Sequence, residues 1–275
     1  MNTTISIDGA SCRIWSDGPE WNGVVSGTIG ELSFDSAETG AEVLRLATAM
    51  LSDMGVSMVL APMCRDTWHA YRAVVESDGS SPFPLEPASG PHDVEALRLA
   101  GFDVVARYAS ARTNVRDETS SDVVVPGISI RAWDGRGADG LLDRLHSMAA
   151  GSFADKMFFR SIGRDEFLDL YRPMLAAIVP EMVLFALDET GAMAGFLFGY
   201  PDPASGAAVL KTYAGTRPGV GRMLARRFHD DAIARGHPCV VHALMHEDNV
   251  SLVRSGQHGG EVFRRYALYG RNARS

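Results

Sequence analysis

The sequence lacks several features that would assign it to a class directly. Its 275 residues contain no apolar run near the roughly 18 residues of a membrane-spanning helix, so we expect no membrane association. The first residues lack the basic stretch and apolar core of a secretory signal, which favours a cytoplasmic protein. There are 3 cysteines and no C-x-x-C pair, so neither a disulfide framework nor a structural zinc site is expected.

Positive charge is also scarce. Lysine and arginine total 26 against 34 aspartate and glutamate, a formal net charge of −8, which would repel a nucleic-acid backbone. No G-x-S-x-G elbow or Walker P-loop is present, so a serine hydrolase or a P-loop protein has little support. Hydrophobic residues make up 46% of the chain and charged residues 22%, which is typical of a folded globular protein.

An internal repeat divides the chain. Strand-like runs at 27–34 and 207–215 are each followed by an amphipathic helical pattern that ends at a glycine, and then by a short apolar strand. The segments 101–108 and 259–266 resemble each other at the ends of the two halves. The spacing between the copies shrinks along the chain, so the first half carries an insertion, which we place at the Ser-, Gly- and Pro-rich stretch 76–91.

The repeat predicts an α/β protein with two related domains in tandem, each a mixed, mostly antiparallel sheet flanked by helices. We place a reduced first domain at 1–110, a polar linker at 111–127 and a complete second domain at 128–275. The order of elements predicted for the second domain is β-α-α-β-β-β-α-β-α-β-β, with a helix over 165–179 that is kinked at Pro173. The first half has no room for the two leading helices.

A glycine-containing loop at 216–223 leaves a strand and enters a helix. Gly219 and Gly221 let the main chain approach a ligand closely, and the helix N-terminus adds N–H donors and a partial positive charge. Arg217 and Arg222 contribute formal charge. This pattern favours phosphate or pyrophosphate binding, although glycine before a helix is also common in an ordinary turn.

The element order of the second half, taken with this loop, resembles the GNAT acetyltransferase superfamily. The similar stretches are the hairpin 184–198, the strand 210–214, the glycine loop, 242–249 and 262–270. The first half resembles the degenerate N-terminal half of tandem GNAT-like proteins through 59–63, 67–71 and 81–87. The resemblance implies an N-acetyltransferase that moves an acetyl group from the co-substrate acetyl-CoA to the amine of a small molecule, by direct attack on the thioester.

The resemblance also implies which residues bind acetyl-CoA. They are Thr212, Tyr213, Ala214, Arg217, Gly219, Val220, Gly221, Arg222, Met223 and Asn249. Two positions depart from the family pattern: Thr216 stands where the family has Arg or Gln, and Gly256 stands where many members have a general-acid tyrosine.

Attack by an amine requires a base that takes the amine proton and an acid that protonates the leaving thiolate. Glu247 and His246, at the end of a strand beside the expected thioester, are the candidate bases. Ser255 and Tyr266 are the candidate acids, with Tyr269 or protonation by solvent as the alternatives. His242 and His246 lie four residues apart on a strand, too far for a shared metal, and we predict no metal site.

The first half is expected to bind no acetyl-CoA. Its equivalent loop, 35–40, contains two acidic residues and a single glycine, so it would repel a pyrophosphate. The sequence therefore predicts one acetyl-CoA per chain, and a first domain that is structural or forms one wall of the acceptor pocket. Trp68, Tyr71 and 80–87 are candidates for that wall, although aromatic residues are also typical of a core.

Two other functions fit the same pattern. A non-catalytic protein of GNAT fold that binds acyl-CoA or another small ligand would explain the changed motif residue and the missing tyrosine. An aminoacyl-tRNA-dependent transferase also uses paired GNAT-like domains, but it needs a basic surface for tRNA, which the acidic balance does not favour. We therefore expect an amino-acid-like or antibiotic-like amine as acceptor, and neither nucleic acid nor membrane as a partner.

Overall fold

The computed structural model of the chain describes residues 2–114, 124–248, 250–257 and 259–274. The first half contains the strands β1 (Asn2–Ile7), β2 (Ala10–Trp15), β3 (Glu20–Trp21), β4 (Val24–Val25), β5 (Gly27–Phe34), β6 (Met58–Ala61), β7 (Ala73–Ser77) and β8 (Asp103–Asn114), and the helices α1 (Ala37–Asp53) and α2 (Asp93–Leu99). The second half contains the strands β9 (Ile128–Ala132), β10 (Val183–Asp188), β11 (Met193–Pro201), β12 (Ala208–Gly215), β13 (Cys239–His246) and β14 (Glu261–Asn272), and the helices α3 (Ala138–Phe153), α4 (Arg164–Tyr171), α5 (Val220–Ala234) and α6 (Val250–Gln257). No helix in these ranges has the length and apolar character needed to cross a bilayer.

Local signals set the ends of the two long repeated helices. α1 begins after Ser36, whose hydroxyl accepts a hydrogen bond from the N–H of Thr39 at 3.1 Å. It ends just before Gly55, which has a φ of +87°, and α5 ends in the same way before Gly236, with a φ of +78°. The predicted helix ends are confirmed. Most of 35–40 is the capped first turn of α1, so the first half has no counterpart to the glycine loop.

The predicted helix 165–179 is wrong in its second half. α4 ends at Tyr171, and the chain continues as a 3₁₀ helix over Arg172–Ala177 that contains Pro173 near its start. A proline inside an α-helix removes one N–H donor, and its ring clashes with the carbonyl four residues earlier. The helix therefore stops instead of bending.

One sheet runs through both halves. Its strand order is β1-β2-β5-β6-β14-β8-β13-β12-β11-β10-β9, with β7 paired to β14, while β3 and β4 form a separate hairpin. The neighbours β5–β6 and β12–β13 are parallel, and the other adjacent pairs are antiparallel. The predicted class, a mixed and mostly antiparallel sheet flanked by helices, is confirmed, but the sheets of the two halves are joined into one.

The two halves exchange strands in the middle of this sheet. β8 comes from the first half of the sequence, yet it lies between β13 and β14, and β14 pairs with β6 and β7 as well as with β8. The prediction of two final strands is wrong, since β14 is the one strand that the structure describes after α6 and β8 occupies the place beside it. A hydrophobic pattern predicts which face of a strand is buried, but not which strand lies next to it.

The predicted linker at 111–127 is wrong in its first residues. β8 continues through Asn114, and within it Ala111 pairs with His242 of β13. Polar residues here are part of the sheet: Thr113 is buried, and its hydroxyl donates to the Val240 carbonyl at 3.3 Å. The stretch 115–123 lies outside the described residues.

Each half packs one long helix against its own part of the sheet. Leu44 and Leu51 of α1 are fully buried in the first core, and Leu224 and Phe228 of α5 are buried in the second. Burying such a side chain stabilises the fold by roughly 1.5–3 kcal/mol. The two helices thereby fix the positions of β6 and β13, the strands that follow them.

Candidate active site

β12 and β13 are paired only over their first residues. The paired residues are Ala208 with Val240, Val209 with Val241, and Leu210 with His242. Beyond Leu210 and His242, no further pair joins the two strands in the part of the chain that the structure describes. Their carboxyl ends therefore open a gap in the sheet, with backbone N–H and C=O groups along its edges. α5 follows the end of β12, and α6 follows the end of β13.

Two irregularities shape this gap. The register between β11 and β12 shifts at Lys211, which forms a β-bulge. In β13, Leu244 has a φ of +56°, and its pairing with β8 is interrupted. The Leu244 N–H donates instead to the Ser110 hydroxyl at 3.0 Å, and its carbonyl accepts from Nη1 of Arg72 at 3.2 Å. Residues of the first half thus hold the distorted strand of the second.

A cavity of about 1130 Å³ adjoins the gap, and both halves line it. Its aromatic lining residues are Trp68, Tyr71, Tyr108, Phe153, Phe159, Phe167, Tyr171, Phe196, Phe198 and Tyr213. The first half contributes Trp68, Tyr71 and 85–87, which belong to the predicted wall of the acceptor pocket. The predicted insertion closes over the second half, since the Pro84 carbonyl accepts a hydrogen bond from the Tyr200 hydroxyl at 2.6 Å.

Lys211 lines this cavity at the bulge. Burial disfavours the charged amine and the Arg72 guanidinium repels it, so the Lys211 pKa falls from 10.5 to about 7, although Glu86 acts in the opposite direction. Nζ donates to the Leu85 carbonyl at 3.3 Å. Near neutral pH a large fraction of Lys211 is therefore an uncharged amine that can accept a proton.

Ser255, His242 and His229 form a hydrogen-bonded chain where the gap begins. Oγ of Ser255 lies 2.7 Å from Nδ1 of His242, and Nε2 of His242 lies 2.8 Å from Nε2 of His229. All three side chains are buried and line the cavity. Two facing nitrogens share a single proton when both rings are neutral. A proton can therefore pass in either direction between Ser255 and His229 along these hydrogen bonds.

The two predicted bases have different surroundings. His246 lines the cavity and packs edge-on to the Tyr108 ring, with 5.0 Å between centroids. Its Nδ1 accepts a hydrogen bond from the Asp248 N–H at 3.2 Å, and burial lowers its pKa below the ordinary 6.5. Glu247 does not line the cavity, and its carboxylate is paired with Arg265.

Tyr266 is fully buried and does not line the cavity. Its hydroxyl donates to Glu86 and lies 3.0 Å from Oγ of Ser110. Burial and the bond to Glu86 raise the pKa of Tyr266 above its ordinary value. Glu86, which lines the cavity, also forms a buried ion pair with Arg264 at 2.5 Å. Tyr266 thus fixes a cavity carboxylate and fastens the predicted insertion to β14.

The glycine loop leads directly into α5. Gly219 precedes the helix with a φ of +88°, a conformation that favours glycine. The N–H groups of Gly221 and Arg222 have no acceptor among the described residues, and Arg222 is exposed. A Cβ at Gly221 would lie 2.9 Å from the ring of Tyr213, so packing against that ring requires a glycine here. The helix start thus offers two unused donors beside a positive charge.

Most of the other residues predicted to bind acetyl-CoA lie near the start of α5. Those in regular structure are Thr212, Tyr213 and Ala214 in the open part of β12, and Val220 and Met223 in the first turn of α5. The Arg217 guanidinium donates to the Pro126 carbonyl at 3.4 Å. Asn249 lies outside the described residues.

Three residues that line the cavity were not predicted from the sequence as functional residues. Arg72, Lys211 and His229 match no motif, because their chemistry depends on burial and on contacts between distant segments. One signal in the sequence points to Lys211: lysine occurs only at 156 and 211, although arginine is abundant.

Comparison with known proteins addresses the fold. No protein-family model matches the sequence, and no curated protein matches it. A tandem GNAT protein from the clavulanic acid biosynthesis pathway is similar in structure, with a TM-score of 0.56 and 14% identity over 96% of this chain and 79% of that one. A GCN5-related N-acetyltransferase from Sphaerobacter thermophilus has a TM-score of 0.59 and 13% identity over 96% of this chain and 77% of that one.

A probable N-acyltransferase from Enterococcus faecalis V583 has a TM-score of 0.61 and 11% identity, over 96% of this chain and 59% of that one. At these identities the likeness establishes the fold. The chain therefore has the fold of the GNAT superfamily, and its two halves are consistent with the tandem GNAT structure.

Proposed function

We propose that the chain is an acetyl-CoA-dependent N-acetyltransferase that acts on the amine of a small molecule. The observation that carries this proposal is the gap between the open ends of β12 and β13. Lys211 and Ser255 lie where the gap begins, and the unused N–H groups of Gly221 and Arg222 lie where β12 leads into α5. An uncharged lysine and a series of hydrogen bonds that can carry a proton would have no role in a protein that only bound a ligand.

Acetyl-CoA suits this gap by its chemistry. Its pyrophosphate would accept hydrogen bonds from the N–H groups of Gly221 and Arg222, with the Arg222 guanidinium and the helix N-terminus supplying positive charge. Its pantetheine arm would pair with the open edge of β12 at 212–214 in the manner of an added strand. When bound, acetyl-CoA supplies the activated acetyl group.

Lys211 is the group that we assign to removing the amine proton. An alkylamine is protonated at neutral pH and cannot attack a thioester until that proton is lost. Lys211 has a pKa of about 7, so it can accept the proton, and it directly follows Leu210, the last paired residue of β12. His246 is the second candidate, because it lines the same cavity and its pKa is lowered. Glu247, paired with Arg265, receives no role.

Ser255 is the group that we assign to protonating the CoA sulfur. Its hydroxyl proton would pass to the sulfur as the carbon–sulfur bond breaks, and His242, which is hydrogen-bonded to His229, would return a proton to Ser255. Solvent would replace the proton lost from the histidine pair, and the proton that Lys211 takes from the amine would leave to solvent, so that each turnover balances. The hydrogen-bonded residues Ser255, His242 and His229 would take the place of the general-acid tyrosine that many GNAT enzymes have at the position of Gly256. The Ser255–His242 and His242–His229 hydrogen bonds are already formed in the structure.

Calorimetric titration of acetyl-CoA into the purified chain tests the donor site. We expect one acetyl-CoA per chain, binding at least about tenfold weaker in Arg222→Glu, and unchanged binding in Arg235→Glu. Arg235 is the matched control because it is an exposed arginine at the opposite end of α5. Gly221→Asp is a poorer test, since the new side chain would also displace the Tyr213 ring.

Release of the CoA thiol with a panel of amines then tests turnover. Saturable binding followed by amine-dependent thiol release supports the transferase. No binding of acetyl-CoA to the wild-type chain at millimolar concentration overturns it. Binding without thiol release for any amine would leave the non-catalytic binding protein as the better description.

A further inference from the structure

Arg72 is a buried cation without a carboxylate partner. Its side chain is 4% exposed, and no aspartate or glutamate within the described ranges forms an ion pair with it. Burial lowers its pKa from 12.5 to about 10. A buried charge that lacks a counterion destabilises a fold. The chain retains one here, beside the gap between β12 and β13.

Aromatic contacts and one hydrogen bond hold the guanidinium in place. Cζ of Arg72 lies 3.8 Å from the ring centroid of Tyr71 and 3.8 Å from that of Tyr108. Nη1 donates to the Leu244 carbonyl at 3.2 Å, which is the one side-chain hydrogen bond of Arg72 to a residue that the structure describes. Nε is buried and has no hydrogen-bond partner among the residues that the structure describes. The position of the group is therefore fixed while most of its N–H donors remain unused.

The unused donors match one kind of ligand group. An arginine carries five N–H donors in a planar fork, and the two terminal Nη nitrogens of the fork can bind the two oxygens of a carboxylate. Arg72 lines the cavity, and its Nη2 has no partner among the described residues, so a carboxylate inside the cavity could bind the fork from its Nη end. Such an ion would also compensate the buried charge.

Arg72 acts electrostatically on the residues proposed to handle the amine proton. Its charge lowers the pKa of Lys211 and that of His246. Tyr108 contacts both the Arg72 guanidinium, at 3.8 Å, and the His246 ring, at 5.0 Å, and Lys211 lines the same cavity. A molecule whose carboxylate is held by Arg72 would therefore occupy the cavity that both side chains line. An anion on Arg72 would also offset the repulsion that Lys211 meets when it takes up a proton.

An apolar region completes the cavity. Trp68 contacts the rings of Phe159, Phe167 and Tyr171, with centroid distances of 5.7, 5.5 and 6.4 Å. All four rings line the cavity. They form a surface that suits an aromatic or bulky aliphatic body.

We propose that Arg72 binds the carboxylate of the acceptor, and that the acceptor is an amino acid-like molecule with an aromatic or bulky apolar body. The assignment of the amine rests on the proposed acetyltransferase function. The carboxylate site stands on the geometry of Arg72 and can be tested without acetyl-CoA.

Equilibrium binding of 3-phenylpropionate and 3-phenylpropanamide to the chain tests the carboxylate site. The two probes share a ring and a chain and differ in charge. We expect wild type to bind the carboxylate at least about tenfold more tightly than the amide, and Arg72→Gln to lose this preference. Arg226→Gln is the matched control and should keep the preference, because Arg226 also lines the cavity but pairs with Asp230.

Equal binding of the two probes to the wild-type chain overturns the proposal, and this result needs no variant to fold. A preference that persists in folded Arg72→Gln overturns it as well. Should Arg72→Gln fail to fold by circular dichroism, Arg72→Lys replaces it. Arg72→Lys keeps the positive charge but lacks the planar guanidinium, so we expect a reduced preference for the carboxylate over the amide. An undiminished preference would count against the proposal.

Acetyl transfer tests the acceptor class. We expect kcat/KM for L-phenylalanine to exceed that for 2-phenylethylamine by at least about tenfold in wild type, and the difference to disappear in Arg72→Gln. Equal values in wild type would overturn the acceptor class. A carboxylate preference in binding without acetylation of either amine would support the carboxylate site and overturn the acceptor class, while the amine panel decides the transferase function separately.

Discussion

Replacing Lys211 by methionine should stabilise the chain by an amount that depends on pH. The pKa of Lys211 is about 7 in the folded protein, against an ordinary 10.5. Between pH 7 and pH 10.5, Lys211 is largely neutral in the folded chain but protonated in the unfolded chain, so the unfolded chain binds more protons. The free energy of unfolding of the wild type therefore rises with pH across this window, and the destabilisation is fully present below pH 7.

The magnitude follows from the separation of the two values. At about 1.4 kcal/mol for each pH unit, a shift from 10.5 to about 7 destabilises the fold by about 5 kcal/mol below pH 7. The cavity gives Lys211 some contact with water, and screening reduces this figure. We expect Lys211→Met to raise the free energy of unfolding by about 2–4 kcal/mol near pH 6.5. The gain should shrink above pH 7 and vanish near 10.5, where both states are neutral.

Urea denaturation followed by circular dichroism between about pH 6.5 and 9.5 measures this difference. Lys156→Met is the matched control, since Lys156 is the other lysine, lines the same cavity and is exposed. It should change stability little at any pH. Other ionising groups contribute alike to wild type and variant, so the difference isolates Lys211. A difference that stays constant over this range would refute the lowered pKa and, with it, the assignment of Lys211 as the base.

Three further predictions concern groups around the cavity. Ser255→Ala should lower kcat for amine acetylation by about 100-fold with little change in the KM for acetyl-CoA, because the hydroxyl acts when the sulfur leaves; unchanged steady-state kinetics would remove it from the mechanism. Glu247→Gln should keep kcat within about twofold of wild type, since its carboxylate is paired outside the cavity, and a large loss would reinstate it as a base. Tyr266→Phe should lower the free energy of unfolding by about 1–3 kcal/mol, because buried Glu86 loses a donor; urea denaturation without any change would contradict that contact.

The sequence predicted the local structure around the glycine loop correctly. The stripe of Val220, Leu224 and Phe228 predicts an amphipathic helix, and the structure begins α5 at Val220, directly after the glycine loop. Amphipathic spacing and the need for a positive φ are properties of a few adjacent residues, so they can be read in a single segment. The same holds for the strand before the loop.

The strand exchange could not be predicted in this way. The polar residues after 109 suggested a linker, but Ser110 and Thr113 are buried, and their hydroxyls form hydrogen bonds to groups of β13 and β14. A buried polar group is stable only when its hydrogen bonds are satisfied, and here the partners lie more than a hundred residues away. Composition alone cannot distinguish such a strand from a solvated linker.

By itself, the sequence determined the class of fold, the glycine loop at the start of α5 and the acidic balance that disfavours nucleic acid. Only the tertiary structure decided which side chains share the cavity. It brought Arg72 from the first half to the cavity that Lys211 lines, and it aligned Ser255, His242 and His229 from three separate elements. Desolvation, charge and hydrogen bonding act through space between segments that are distant in the chain. The proposed chemistry therefore depends on the packing of the two halves.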